Sequence, residues 1–177
     1  MIGPVRQIAW LVPDLEAATR LWSAAHRVGP WFASDPMPTA KAVYRGEPGH
    51  IALRAASAYS GDLEIELIQP LGDDRSIYRE AVEQMGYGLH HVCHHSDSLD
   101  HDITRMTAKG YELVQEFWVG EFRIVYLGTP GSIGSYVELI QMTPEVDALM
   151  AGWRRAAADW DGRYAITCLN HGGGTPT

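Results

Sequence analysis

Gln7-Ile8-Ala9-Trp10-Leu11-Val12-Pro13-Asp14-Leu15-Glu16 and His91-Val92-Cys93-His94-His95-Ser96-Asp97-Ser98-Leu99-Asp100 read alike. Each runs from a short strand through a turn with a capping residue into the start of a helix. A second pair follows in the same order. Ile65-Glu66-Leu67-Ile68-Gln69 and Val137-Glu138-Leu139-Ile140-Gln141 agree at four of five positions. The first pair is offset by 84 residues and the second by 72, so the second copy is shorter by about the length of one trimmed loop. Two matches in the same order point to an internal duplication.

Working outward, each copy reads as strand, helix, then three strands. In the first copy, residues 5–12 alternate as a strand and Asp14 caps a helix whose apolar face is Leu15, Ala18, Leu21, Trp22 and Ala25. After the Gly29-Pro30 break, strands are expected near 41–45, 50–59 and 62–69, divided by glycine-containing turns. Residues 74–85 read as a linking helix. In the second copy, 88–95 is a strand and Ser98 caps a helix that stops at Gly110. Strands follow near 111–118, 121–128 and 133–141, and residues 144–160 form an added helix. The expected fold class is α+β, with two tandem βαβββ modules. The modules are 1–72 and 88–142, joined by a helical linker at 73–87. A C-terminal helix and mobile tail occupy 143–177.

Composition limits the function. At 46% hydrophobic and 20% charged, the chain is globular. A net charge of −8 argues against nucleic acid or an anionic membrane as partner. No apolar run approaches the ~20 residues of a spanning helix. The N-terminus lacks a signal peptide's layout, and Cys93 and Cys168 cannot form a disulfide framework. A cytoplasmic setting is expected.

Four polar residues stand at equivalent places in the two copies: Gln7 and His91 on the first strands, Glu66 and Glu138 on the last. Alternation puts Ile8, Trp10 and Val12, and likewise Leu63, Ile65 and Leu67, on the helix-covered side. If both sheets curve around one cavity, Gln7, Glu66, His91 and Glu138 point into it. Carboxylates facing a partly buried cavity are costly unless paired, and one divalent ion relieves both. The run His90-His91-Val92-Cys93-His94-His95 suggests a zinc site. Adjacent strand residues point to opposite faces, however, so the run cannot wrap one ion by itself. His95 is expected to reach the pocket, His90 and His94 to lie at the surface or against a helix, and Cys93 to be a small buried residue.

These residues resemble the vicinal oxygen chelate superfamily, which includes glyoxalase I, methylmalonyl-CoA epimerase, extradiol dioxygenases and bleomycin-resistance proteins. The resemblance is carried by Ile8–Ala17, Ile65–Pro70, Gly88-Leu89-His90-His91-Val92 and Val137–Ile140. It implies paired βαβββ modules whose curved mixed sheets enclose a cavity, around a metal held by Gln7, Glu66, His91 and Glu138. Epimerase-like members usually carry His at the first position, where this chain has Gln7; the Gln/Glu/His/Glu set looks like eukaryotic glyoxalase I. Such an oxygen-rich site suits one divalent Zn, Ni, Co, Mn or Fe ion. The implied activity is that of a metal-dependent isomerase or lyase. It removes a proton alpha to a metal-bound carbonyl of a small, apolar or aromatic substrate, with Glu138 as first and Glu66 as second candidate base. Glu47, between Gly46 and Pro48, reads as a solvated turn residue. His95, Tyr136 and Trp118 are expected to line the substrate pocket. A non-catalytic, bleomycin-resistance-like binding protein is one alternative; an extradiol-type dioxygenase is another, though Gln7 replaces one of its histidines. The apolar stripe of the added helix, with Trp153 and Trp160 beyond the repeat, must cover something: either its own domain or a neighbour's surface, and the second gives the homodimer that is expected.

Overall fold

The computed structural model describes residues 2–37, 39–131 and 135–169. The tail expected to be mobile, 171–177, lies outside them. The elements run β1 (Val5–Leu11), α1 (Leu15–His26), β2 (Trp31–Ser34), β3 (Thr39–Tyr44), β4 (Glu47–Gly49), β5 (Leu53–Ser60), β6 (Leu63–Pro70) and α2 (Ile77–Met85). They continue as β7 (Gly88–Ser96), α3 (Leu99–Thr107), β8 (Glu112–Val119), β9 (Phe122–Gly128), β10 (Tyr136–Gln141), α4 (Pro144–Ala158) and β11 (Ile166–Cys168). No described helix is long and apolar enough to cross a membrane.

Helix starts explain part of the repeat. Asp14 Oδ1 accepts from Ala17 N at 2.9 Å, as an N-cap should. Gln69 Oε1 also accepts from Leu15 N at 3.1 Å, and Gln141 Oε1 accepts from Leu99 N at 3.4 Å. The glutamine that ends both repeated pentapeptides thus anchors the first helical amide of its own module. Ser98 stands at the N-cap of α3, but its side chain makes no capping bond.

All strands join one curled mixed sheet in the order β11-β2-β5-β6-β1-β7-β10-β9-β8-β3-β4. The first module contributes β2-β5-β6-β1 and the second β8-β9-β10-β7. The halves meet where β1 runs antiparallel to β7. In each half the first strand pairs parallel with the last.

The second strand of the first module is β2, not the expected strand at 41–45. Four residues are too few to show a period, and the Trp31 ring, with Nε1 donating to Ser23 Oγ at 2.9 Å, is buried under α1. The 41–45 segment belongs to the β3–β4 hairpin, an insertion that pairs antiparallel with β8 on the far edge. The insertion accounts for the greater length of the first copy. The C-terminal extension likewise adds β11, parallel to β2.

Alternation sorts the core as expected. Ile65 and Leu67 pack with Leu15 and Trp31 on the α1 side, and Val125, Val137 and Leu139 pack with Leu99 and Met106 on the α3 side. The concave face holds Ala9, Leu11, Leu53, Ile68, Phe117 and Tyr126, closed at one end by Ile77, Tyr78 and Ala81 of α2. The apolar stripe of α4 covers its own chain. Met150 is buried, and Trp153 stacks on Phe32 of β2 at 5.2 Å and 11°. Met150 and Trp153 thus find their cover within the chain, while Leu149 of the same stripe stays exposed, so the helix by itself does not require a second subunit.

Candidate metal centre

Gln7, Glu66, His91 and Glu138 lie on β1, β6, β7 and β10, which are four consecutive strands at the middle of the sheet. Register brings them level: Ala9 pairs with both Glu66 and His91, while Cys93 pairs with both Gln7 and Glu138. All four side chains turn to the concave side and are buried. His91 Nε2 stands 3.2 Å from Gln7 Oε1, 3.1 Å from Glu138 Oε2 and 3.6 Å from Glu66 Oε2. Donor atoms of Glu66, His91 and Glu138 all lie within 4.8 Å of one another, forming a group able to hold a metal ion.

Glu66 Oε2 and Glu138 Oε2 are buried without a hydrogen bond among the described residues. Two bare carboxylate oxygens aimed at one point are unstable alone and suited to a divalent cation. The donor set therefore fits such an ion.

The supporting groups differ from ligand to ligand. Gln7 Nε2 donates to Glu64 Oε1 at 3.0 Å, which leaves its carbonyl oxygen facing His91. Tyr126 donates to Glu138 Oε1 at 2.6 Å and in turn accepts from Tyr78 at 2.9 Å. Burial alone would raise the Glu138 pKa, but His91, Tyr126 and Cys93 outweigh it and hold the carboxyl below its ordinary value. Glu66 has no such donor. Burial, then repulsion from Glu138 and Glu64, pushes its carboxyl well above the usual range. Glu64 is also raised by burial, against hydrogen bonds from Ser57, Gln7 and Tyr59. Sequence reasoning passed over Glu64, although it sits two residues before Glu66 and therefore on the same strand face.

The histidine run departs from simple alternation. Trp10 pairs with Leu89 while Ala9 pairs with His91, so His90 is an extra residue in a β-bulge. The expectation that neighbours point to opposite faces fails here. His90 lies fully buried on the same side as His91, stacked on Tyr78 at 5.1 Å. Burial, then His91, pushes its imidazole pKa well below the ordinary value. His94 remains outside, with Nδ1 2.8 Å from the Gly3 carbonyl oxygen.

The cavity beside the centre encloses about 130 Å³, and its apolar wall includes Phe32, Met37, Leu53, Phe117, Ile124 and Trp153. Among its described lining residues none is Lys or Arg. The residues expected to line the pocket lie elsewhere. Trp118 faces the outside of β8, with the Lys41 ammonium 4.4 Å from its ring, and Phe117 points inward in its place. The reason is a register shift at Leu113/Gln115 that strict alternation does not anticipate. Tyr136 packs against His90 and donates to Glu80 Oε1 at 3.3 Å, lining a different pocket. His95 borders an open surface pocket with Arg6 and Thr143. Glu47 is exposed in the inserted hairpin.

Solved structures share this fold at low identity. Methylmalonyl-CoA epimerase from Mycobacterium tuberculosis is 18% identical with a TM-score of 0.56, covering 83% of this chain and 93% of its own. The Streptomyces coelicolor methylmalonyl-CoA epimerase in complex with 2-nitronate-propionyl-CoA is 19% identical with a TM-score of 0.56, over 81% of this chain and 99% of its own. A hypothetical protein, BH1468 from Bacillus halodurans C-125, is 15% identical with a TM-score of 0.56, over 79% and 94%. No curated protein matches the sequence. Residues 6–127 match the model of the Glyoxalase/Bleomycin resistance protein/Dioxygenase superfamily, and the chain belongs to that superfamily.

Proposed function

We propose that the protein is a metal-dependent isomerase or lyase that removes the proton alpha to a carbonyl of a small, apolar or aromatic substrate. The observation that carries the reading is the pair of buried carboxylate oxygens, Glu66 Oε2 and Glu138 Oε2, that accept no hydrogen bond among the described residues and face His91 Nε2. Gln7, Glu66, His91 and Glu138 would hold the ion. When bound, it supplies Lewis acidity that stabilises negative charge developing on a substrate oxygen.

The residues divide the remaining work. Glu138 is pinned by Tyr126 and charged, which suits a fixed anionic anchor. Glu66 carries no hydrogen bond on Oε2 and has a raised pKa, which suits a group that takes up and returns a proton. Its environment favours Glu66 over Glu138 as the base. The apolar wall excludes water and holds the substrate's carbon skeleton.

The cavity favours a neutral compound about the size of a single ring. An engineered apolar cavity of roughly 150 Å³ binds benzene, and this one is slightly smaller. The phosphates of a coenzyme A thioester would want cations, and the described lining residues include none.

The test has two parts. Elemental analysis of untagged protein should find one divalent ion per chain. The loaded protein should then exchange the alpha proton of a small aryl hydroxyketone with deuterated solvent. A metal-loaded protein that exchanges no proton in any carbonyl compound of this size would refute the catalytic reading and leave a binding protein. Oxygen uptake during turnover would favour a dioxygenase.

A further inference from the structure

The bulge in β7 places two histidine rings side by side within the molecule. His90 Nδ1 lies 2.9 Å from His91 Nδ1, and both residues are fully buried. Among the described residues no other hydrogen bond reaches His91 Nδ1. The opposite nitrogen, Nε2, faces Gln7 Oε1, Glu66 Oε2 and Glu138 Oε2.

An imidazole that ligates through one nitrogen must carry its proton on the other. That N–H is ordinarily held by a carboxylate, a carbonyl or water. Here the place is sealed, and the lone pair on offer belongs to a second imidazole. We propose that His90 is the positioning residue of the centre: its Nδ1 accepts the Nδ1–H of His91 and so keeps His91 Nε2 as the ligand nitrogen. The proposal rests on the metal reading given above.

The geometry also holds the acceptor still. The His90 ring stacks on Tyr78 at 5.1 Å and 24°, and Tyr136 lies against it at 5.1 Å. Tyr78 comes from α2 and Tyr136 from β10, so the linking helix and the second module together fix the orientation of His91. In this tautomer the His90 proton sits on Nε2, which is buried and has no hydrogen-bond partner among the described residues.

The experiment uses the full chain, untagged, labelled with nitrogen-15 and loaded with zinc alone. A coupling across the N–H···N hydrogen bond should join the two Nδ1 atoms, with the His91 proton on Nδ1. His90→Phe keeps a ring but no acceptor, and should weaken zinc binding by about 10- to 100-fold. His90→Asn places a carbonyl oxygen near the lost nitrogen and should recover most of that loss. Melting of the metal-free variants separates a folding defect from a binding defect. If His90→Phe does not fold, the coupling and His90→Asn still decide. Bound zinc with the His91 proton on Nε2, or zinc binding by His90→Phe equal to wild type, would overturn the positioning role. A wild-type protein that holds neither zinc nor nickel, cobalt, manganese or ferrous iron offered in its place would overturn the metal reading and this role with it.

Discussion

Replacing Glu66 by Gln should make the metal-free protein more stable and the metal-loaded protein less so. Glu66 Oε2 is buried without a partner beside Glu138, and burial with carboxylate repulsion raises the Glu66 pKa. An amide of the same shape removes one of two mutually repelling acids. Leaving a buried polar group unsatisfied costs about 1–3 kcal/mol, and more for a charge. At pH 8 without metal the variant should therefore gain about 2 kcal/mol, or about 4–8 °C in Tm for a chain of this size. The sign of the pH dependence follows from the raised pKa. Between the unfolded carboxylate pKa of about 4.3 and the raised folded value, the native state holds a proton that the unfolded chain has released. Wild-type stability should fall across that window by up to about 1.4 kcal/mol per pH unit from this group, and the variant should show a shallower fall, because Glu64, also raised by burial, still contributes. Metal reverses the order, because an ion at 100 times its Kd adds about 2.7 kcal/mol to a protein that binds it, and the variant has lost an anionic ligand. Melts at pH 5 and pH 8, in chelator and in excess zinc, measure all four states. A variant that melts below wild type at pH 8 in chelator would refute the reasoning, because the two bare oxygens would then not be a liability.

Zinc affinity should rise with pH by about tenfold per unit while Glu66 must release its proton on binding, and should level off above that range; a flat profile by calorimetry would contradict it. Tyr126→Phe removes the hydroxyl that donates to Glu138 and should weaken metal binding about tenfold or more, read by competition with a chromogenic chelator. Trp153→Ala opens the cavity wall at the Phe32 stack. It should cost about 2–3 kcal/mol, below the full burial value for tryptophan, and should shift ligand preference towards larger rings in a thermal-shift series. Truncation after Thr143 removes the cover from the cavity and should lower stability while metal binding is partly retained, since the four donor residues precede the cut.

Local regularities made much of the molecule legible. The duplication, α1, the faces of β1, β6 and β10, and the equivalent places of Gln7, Glu66, His91 and Glu138 all follow from periods of two and 3.6 residues, and the structure brings those four side chains together. Other features do not follow from period. Trp31–Ser34 is too short to announce itself. Trp118 and Phe117 exchange faces through a shift in register, and Glu64 gains meaning only when the Gln7 amide lies against it.

By itself, then, the sequence determined the helices, the longer strands and which faces carry acids, though not the short strands β2 and β11, because those choices depend on neighbours a few residues away. Tertiary structure decided the partners. The β3–β4 hairpin closes on β8 of the other module, α4 lies over the cavity of its own chain, and a bulge sets His90 beside His91. Each of these is a pairing between distant segments. The free-energy cost of closing a loop grows only slowly with its length, so sequence distance scarcely favours one partner over another. The choice falls to packing and register, which exist only once the sheet has formed.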